Sequence, residues 1–309
     1  MSDTRDFEVV ADGLQFPEGP VALPDGSVLV VEVAGGTLTR IAPAGEVEVI
    51  AELGGGPNGA AIGPDGLCYV CNNGGFVWFE ESGLLMPGDA PADYAGGRIE
   101  RVDLESGRHE VLYTECNGHK LKGPNDLVFD GAGGFWFTDT GKHYGRMMDR
   151  SAVYYATTDG QHIEEVFFPF DHTNGIALAP DDATLYFAET FTARIWQFAL
   201  RAPGTLAAPV QPFNPADLLY GAPGLVGFDS MAVDSAGNVC QATLFNGGVT
   251  VISPAGQLVE FLPMPDPFVT NICFGGDDLQ TAYLALAGSG QLVKLRWPRP
   301  GLPLHFLNR

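Results

Sequence analysis

Six oxygen-bearing side chains recur in this chain at a common spacing: Glu18, Asn58, Asn125, Asn174, Asp229 and Asn271 each stand about seven residues ahead of a turn, with mostly apolar residues between. Two are carboxylates and four are carboxamides, so the set carries a formal charge of −2 and several carbonyl oxygens. Such donors suit one hard divalent cation, Ca2+ first and Mn2+ or Mg2+ next. Zn2+ or Fe2+ is a lesser fit, because the set lacks His and Cys. Without a cation, two carboxylates facing each other in a narrow space repel. For Asn58 and Asn271 the ordinary turn-forming role is the stronger reading. Glu is a poor turn former, and Glu18 in its apolar PEGPVAL context calls for a charge partner.

The elements that must position these residues are β-hairpins. Asp25-Gly26, Asp65-Gly66, Gly133-Gly134, Asp181-Asp182, Ala236-Gly237 and Asp277-Asp278 each separate two short runs rich in Val, Leu, Ile, Phe and Tyr. Successive keyed residues are 40, 67, 49, 55 and 42 positions apart, close to the length of one four-stranded propeller blade. The spacing predicts an all-β fold, a six-bladed β-propeller with a metal site in its central channel. Apolar residues at helical spacing are missing and Gly or Pro interrupts nearly every stretch, which excludes a helical repeat. In a closed ring the innermost strands all run the same way along the axis. The residues entering them would therefore gather at one mouth of the channel.

With 41 Gly, 23 Pro and 20 Phe among 309 residues, the composition fits many short strands joined by tight turns. No Ser-rich linker or charge block divides the chain, which reads as one domain over 1–309. A net charge of −22 argues against nucleic acid and anionic membrane surfaces as partners. Most of that charge reads as solubility. The N-terminal MSDTRDFEVVADG has no apolar stretch after a basic one, and five cysteines, an odd number, read as reduced and buried. Cys68 and Cys71 form a C-x-x-C within a strand, where i and i+3 face opposite sides, so a redox or zinc site there is not expected. The expectation is a cytoplasmic protein, a monomer or weak homo-oligomer.

Five motifs in order, F-P-E-G-P (16–20), G-P-N-D-L-V-F-D with F-W-F-T-D-T-G (123–141), N-G-I-A-L-A-P-D (174–181), L-Y-F-A-E-T (185–190) and F-D-S-M-A-V-D-S-A-G-N (228–238), give the chain a family likeness. It resembles the senescence-marker-protein/gluconolactonase/luciferin-regenerating-enzyme family over about residues 10 to 296. The resemblance implies a six-bladed propeller with one divalent metal in its channel, hydrolysing lactones. It implies Glu18, Asn174 and Asp229 as metal ligands, with Asn125 near the metal and touching substrate. By likeness to a bacterial lactonase branch it also implies catalytic roles for Asp126 and Ser230. The animal sugar lactonases carry an Arg two residues before the N-D asparagine, where this chain has Gly123, so a sugar lactone is not assured. Lys122 or Lys120 is the candidate to replace that Arg.

On this reading Asp229 is ligand and general base, Asn125 donates to the oxyanion, and no nucleophilic serine is needed because G-x-S-x-G is absent. Two long connections, 80–98 and 140–150, are candidate covers for the site. His143, Tyr144 and the methionines of the second are candidates to touch substrate. Two alternatives stand beside the small-molecule lactonase. One is a metal-dependent enzyme of the same family acting on another ester or carbonyl compound. The other is a metal-free propeller that binds a protein.

Overall fold

The computed structural model describes residues 6–207 and 216–309; the first five residues of the N-terminal segment lie outside it. Six antiparallel blades are present among the described residues, each built on four strands, with Thr205–Leu206 added as a fifth strand in blade 4. Blade 1 comprises Pro17–Ala22, Val28–Glu32, Thr37–Ile41 and Val47–Glu52; blade 2 Pro57–Ile62, Cys68–Asn72, Arg98–Val102 and His109–Tyr113; blade 3 Pro124–Phe129, Gly134–Asp139, Ser151–Thr157 and Ile163–Phe170. Blade 4 comprises Thr173–Leu178, Thr184–Glu189, Arg194–Ala202 and Asp217–Gly221; blade 5 Gly227–Val233, Val239–Leu244, Gly248–Ile252 and Leu258–Pro263. Blade 6 takes Val269–Gly275, Thr281–Leu286 and Gln291–Arg296, and its fourth strand is Glu8–Ala11 from the other end of the chain. The pairing Glu8↔Lys294 and Val9↔Val293 closes the ring. No segment of the described residues is helical, so no helix is long and apolar enough to cross a membrane.

The second strands explain the near-continuous apolar runs. In VLVVE, Val28 and Val30 pack into the core between blades 6 and 1, while Leu29 and Val31 pack between blades 1 and 2. Alternation sends successive side chains to opposite faces, and in a propeller both faces are covered by neighbouring blades. Cys68 and Cys71 follow the same rule, the first in the core of blades 1 and 2 and the second in that of blades 2 and 3, both free thiols.

Both long connections form hairpins over the same mouth. Trp78–Glu81 pairs with Leu84–Pro87, and Leu85 N donates to Gly288 O of blade 6 (2.9 Å). Phe16, Val33, Phe76, Trp78, Leu85 and Ala287 pack together beneath it, fastening the hairpin across blades 6 and 1. The second hairpin, His143–Tyr144 with Met147–Met148, is tied to the first connection by Ala90 N to His143 O (2.9 Å) and Gly145 N to Asp89 Oδ2 (2.9 Å). At the opposite mouth residues 297–309 cross the channel, held by Leu302 N to Val233 O (2.8 Å), the Arg299–Asp234 ion pair and His305 Nε2 with Asp182 Oδ2 (2.9 Å).

Candidate active site

All six keyed residues lie on innermost strands, and all are nearly buried. At each one the ladder to the second strand skips: the register breaks at Glu18/Val21, Pro57/Ala60, Pro124/Leu127, Thr173/Ile176, Phe228/Met231 and Val269/Asn271. A bulge of this kind re-aims one side chain without ending the strand. In blades 1, 2 and 4 a glycine follows, and each permits close approach of the next strand. A Cβ at Gly19 would lie 2.5 Å from Asn58 O, at Gly59 2.5 Å from Asn125 O, and at Gly175 2.6 Å from Asp229 O. Gly19 also has φ +50°, the left-handed region where glycine carries no Cβ penalty.

Five of the six, Glu18, Asn58, Asn125, Asn174 and Asp229, line a cavity of about 370 Å3 under the two hairpins. The sixth corrects the expectation that all would meet. Asn271 is turned toward its neighbour: Nδ2 donates to Glu18 Oε2 (2.7 Å), and Oδ1 accepts from Ile272 N (2.8 Å). With Gly19 N also donating to Oε2, Glu18 is held in place with its other oxygen free of these bonds. Asn174 is oriented in the same manner, Nδ2 donating to Thr190 Oγ1 (3.1 Å).

The oxygens left over identify the centre of the site. Asn125 Oδ1 and Asn174 Oδ1 are buried without a hydrogen-bond partner, although buried polar atoms are nearly always paired. Beside them burial raises the Glu18 carboxyl to about 7, against the hydrogen bonds from Asn271 and Gly19. Asp229 is pushed well above the usual carboxylate range by burial and then by the charge of Glu18. Two acids short of positive charge and two orphaned carbonyl oxygens form a donor set that fits a hard divalent cation. Among the described residues no group of three or more His, Cys, Asp or Glu side chains is arranged to hold a metal, so such a site depends on the amides.

Asp126 and Ser230 occupy the position that is glycine in blades 1, 2 and 4. Asp126 lies outside the main cavity and lines a smaller one, of about 100 Å3, on the side of the 297–309 segment. Its carboxylate accepts from Leu127 N (2.9 Å), from Ile176 N (3.3 Å) and from Ser230, and burial followed by the Glu18 charge raises it to about 7.

His143 lines the main cavity, and the structure adds a partner not singled out from sequence: His143 Nε2 lies 3.3 Å from His172 Nδ1, with Phe191 against both rings. Burial depresses His172 to about 3, aided by His143 and Lys142, so it stays neutral. The other expected substrate contacts point elsewhere. Tyr144 donates to Asp149 (3.0 Å), Lys120 Nζ donates to Ala95 O (3.1 Å), Lys122 Nζ lies 3.9 Å from Asp149, and Met147 is 71% exposed. None of these four lines the cavity. At Gly123 a Cβ would lie 2.5 Å from Gly141 O, so the backbone has closed on the space a longer side chain would need.

The chain matches the SMP-30/gluconolactonase/LRE-like region over residues 16–288. It is 26% identical to a gluconolactonase of Zymomonas mobilis, over 94% of this chain and 81% of that protein. It is 30% identical to lactonase drp35 of Staphylococcus saprophyticus, over 84% of this chain and 72% of that protein. Among solved structures, a calcium-binding protein, regucalcin, from Agrobacterium tumefaciens superposes with a TM-score of 0.72 at 17% identity, covering 97% of this chain and 98% of that one. The chain belongs to the SMP-30/gluconolactonase/LRE-like family.

Proposed function

We propose that this protein hydrolyses lactones at a divalent cation, Ca2+ in the first instance, held by Glu18, Asn174, Asp229 and Asn125. The observation that carries the reading is the pair of unpartnered oxygens, Asn125 Oδ1 and Asn174 Oδ1, beside two carboxyls of raised proton affinity at one side of a ligand-sized cavity. The gluconolactonase and lactonase names of the relatives support the substrate class. When bound, the cation supplies Lewis-acid polarisation of a carbonyl and a readier source of hydroxide.

The protein's own groups do the rest. Asp229 takes a proton from the attacking water at a carboxylate oxygen and returns it to the leaving alkoxide. Asn125 offers its Nδ2 hydrogens to the developing oxyanion. Asp126, which accepts from Leu127 N, Ile176 N and Ser230, holds Ser230 in place and with it the strand that presents Asp229. His143, paired with the neutral His172, contacts the substrate from the wall of the cavity.

The wall is two-sided. The residue just after each second strand is Val33, Asn73, Thr140, Thr190, Phe245 and Ala287 for blades 1 to 6, polar on blades 2–4 and apolar on blades 5, 6 and 1. Phe16, Phe76, Phe79, Met86 and Phe268 extend the apolar part. A lactone sits with its ester toward the polar side and its hydrocarbon against the rings. The test is a panel of sugar lactones, aliphatic γ-lactones and dihydrocoumarin, assayed with Ca2+, Mn2+ or Mg2+ and with chelator, together with calorimetric titration of each cation. Glu18→Gln and Asp229→Asn should each weaken Ca2+ binding and kcat/KM by at least about 100-fold, the upper end of what lost supporting contacts cost a metal site. Unchanged cation affinity in both variants would remove the site assignment.

A further inference from the structure

Lys142 is 1% exposed, and among the described residues no carboxylate pairs with it. Its Nζ donates to Asn73 Oδ1 (3.0 Å) and Gly75 O (2.6 Å) and sits 3.5 Å from the centre of the Phe76 ring, so all its donor directions are used. A buried ammonium is costly, and burial pulls Lys142 down to about 7, an effect that the charge of Asp139 only partly offsets. What this arrangement holds is Asn73, which lines the main cavity and is 3% exposed.

Asn73 Oδ1 accepts from Lys142 and from Gly75 N (2.8 Å), so a flipped amide would set its NH2 against two donors. The orientation is therefore determined by its neighbours. It leaves Nδ2 buried and without a partner. Of the other polar residues at this level, Thr140 Oγ1 donates to Thr173 O (2.7 Å) and has no proton left to give, while Thr190 Oγ1 accepts from Asn174 and keeps its own O–H. In its protonated form the Lys142 ammonium on the amide oxygen also polarises the N–H bonds and makes them stronger donors.

We propose that Asn73 Nδ2 donates a hydrogen bond to an oxygen of the bound lactone, and that Lys142 is the positioning residue that orients and polarises it. This rests on the lactone-hydrolase reading above. It adds a donor on blade 2, reached from none of the sequence motifs, that is fixed before substrate arrives.

The experiment uses the full chain with saturating Ca2+ and whichever lactone of the panel the parent turns over fastest. Asn73→Ala and Asn73→Asp are measured for kcat, KM, Ca2+ affinity and unfolding midpoint; the second variant keeps Lys142 partnered and guards against simple misfolding. Both should lose about 10- to 100-fold in kcat/KM, as expected for one directed donor to an oxygen that gains charge. The loss should fall mainly in kcat, with Ca2+ affinity unchanged. Lys142→Met, which leaves the Gly75 N bond to hold the amide, should lose less, about 3- to 10-fold. The inference is overturned if Asn73→Ala and Asn73→Asp both stay within about threefold of the parent, or if their loss tracks weakened Ca2+ binding. A parent that opens none of the lactones overturns the hydrolase reading itself, and this inference with it.

Discussion

At the scale of single residues, two of the ligand candidates, Glu18 and Asn174, are held by neighbours that the sequence motifs do not pair with them. Asn271 and Gly19 hold Glu18, and Thr190 holds Asn174. Because burial raises the Glu18 carboxyl to about 7, the folded metal-free protein prefers the protonated form. Stability is then complete below the ordinary carboxylate pKa and declines as pH rises toward 7, the reverse of a salt-bridged acid. In chelator Glu18 by itself should lower stability between pH 5 and pH 8 by on the order of 3 kcal/mol at most, while His172 and Lys142, both depressed by burial, act in the opposite direction, so the readout is the parent's pH profile minus that of Glu18→Gln. Glu18→Gln should flatten that slope, and added Ca2+ should restore stability at pH 8. A Glu18→Gln variant with the same pH dependence as the parent in chelator would contradict this account of Glu18.

At the scale of elements, the bulge at each inner strand and the glycine after it do the positioning. Gly175→Ala would push a Cβ to 2.6 Å from Asp229 O and 2.7 Å from Ser230 Cα, both of them backbone atoms. A cost of about 1–3 kcal/mol is expected for such overpacking. Because blades 4 and 5 meet there, Ca2+ affinity should fall along with the midpoint, which calorimetry would register. The hairpin Trp78–Glu81/Leu84–Pro87 has a different part. It contributes Phe79, Met86 and Pro87 to the cavity wall and no ligand. Replacing residues 79–86 by a short Gly-Ser link should raise KM about tenfold and leave Ca2+ affinity intact, since apolar wall contacts act on the substrate's hydrocarbon. A variant with unchanged KM would show that the hairpin is not part of the substrate pocket.

At the scale of the whole molecule, the ring is closed by non-local pairing. Removing residues 6–11 would expose the edge of Gln291–Arg296 and uncover Val28, Val30 and Leu292 of the core between blades 6 and 1. The expected result is a lower unfolding midpoint and a tendency to self-associate through the new edge, visible by size-exclusion chromatography with light scattering. The acidic excess also takes on structure at this scale. Glu32, Asp139 and Glu189 end the second strands of blades 1, 3 and 4, and each accepts a backbone N–H from the segment entering its own blade: Gln15 N, Gly123 N and Asp171 N. This use of three buried acids is seen only once each blade is folded, because the carboxylate and the N–H it accepts from are 16 to 18 residues apart.

The period of the keyed residues, the hairpin turns and the two-faced apolar strands determined the propeller, its six blades and the strand on which each candidate ligand sits. All of these are local features, and alternation and turn chemistry act over a few residues. The tertiary structure alone decided which keyed residues face the cavity. Asn58 and Asn271 share a position and a side chain, yet one lines the cavity and the other is spent on Glu18, because blade 1 lies beside blade 6 only after closure. The same holds for the His143–His172 pair and for Lys142 with Asn73, partners 29 and 69 residues apart. Nothing in a strand's own pattern encodes which distant side chain will share its desolvated space, since that depends on how the blades and the two covering hairpins pack around one axis.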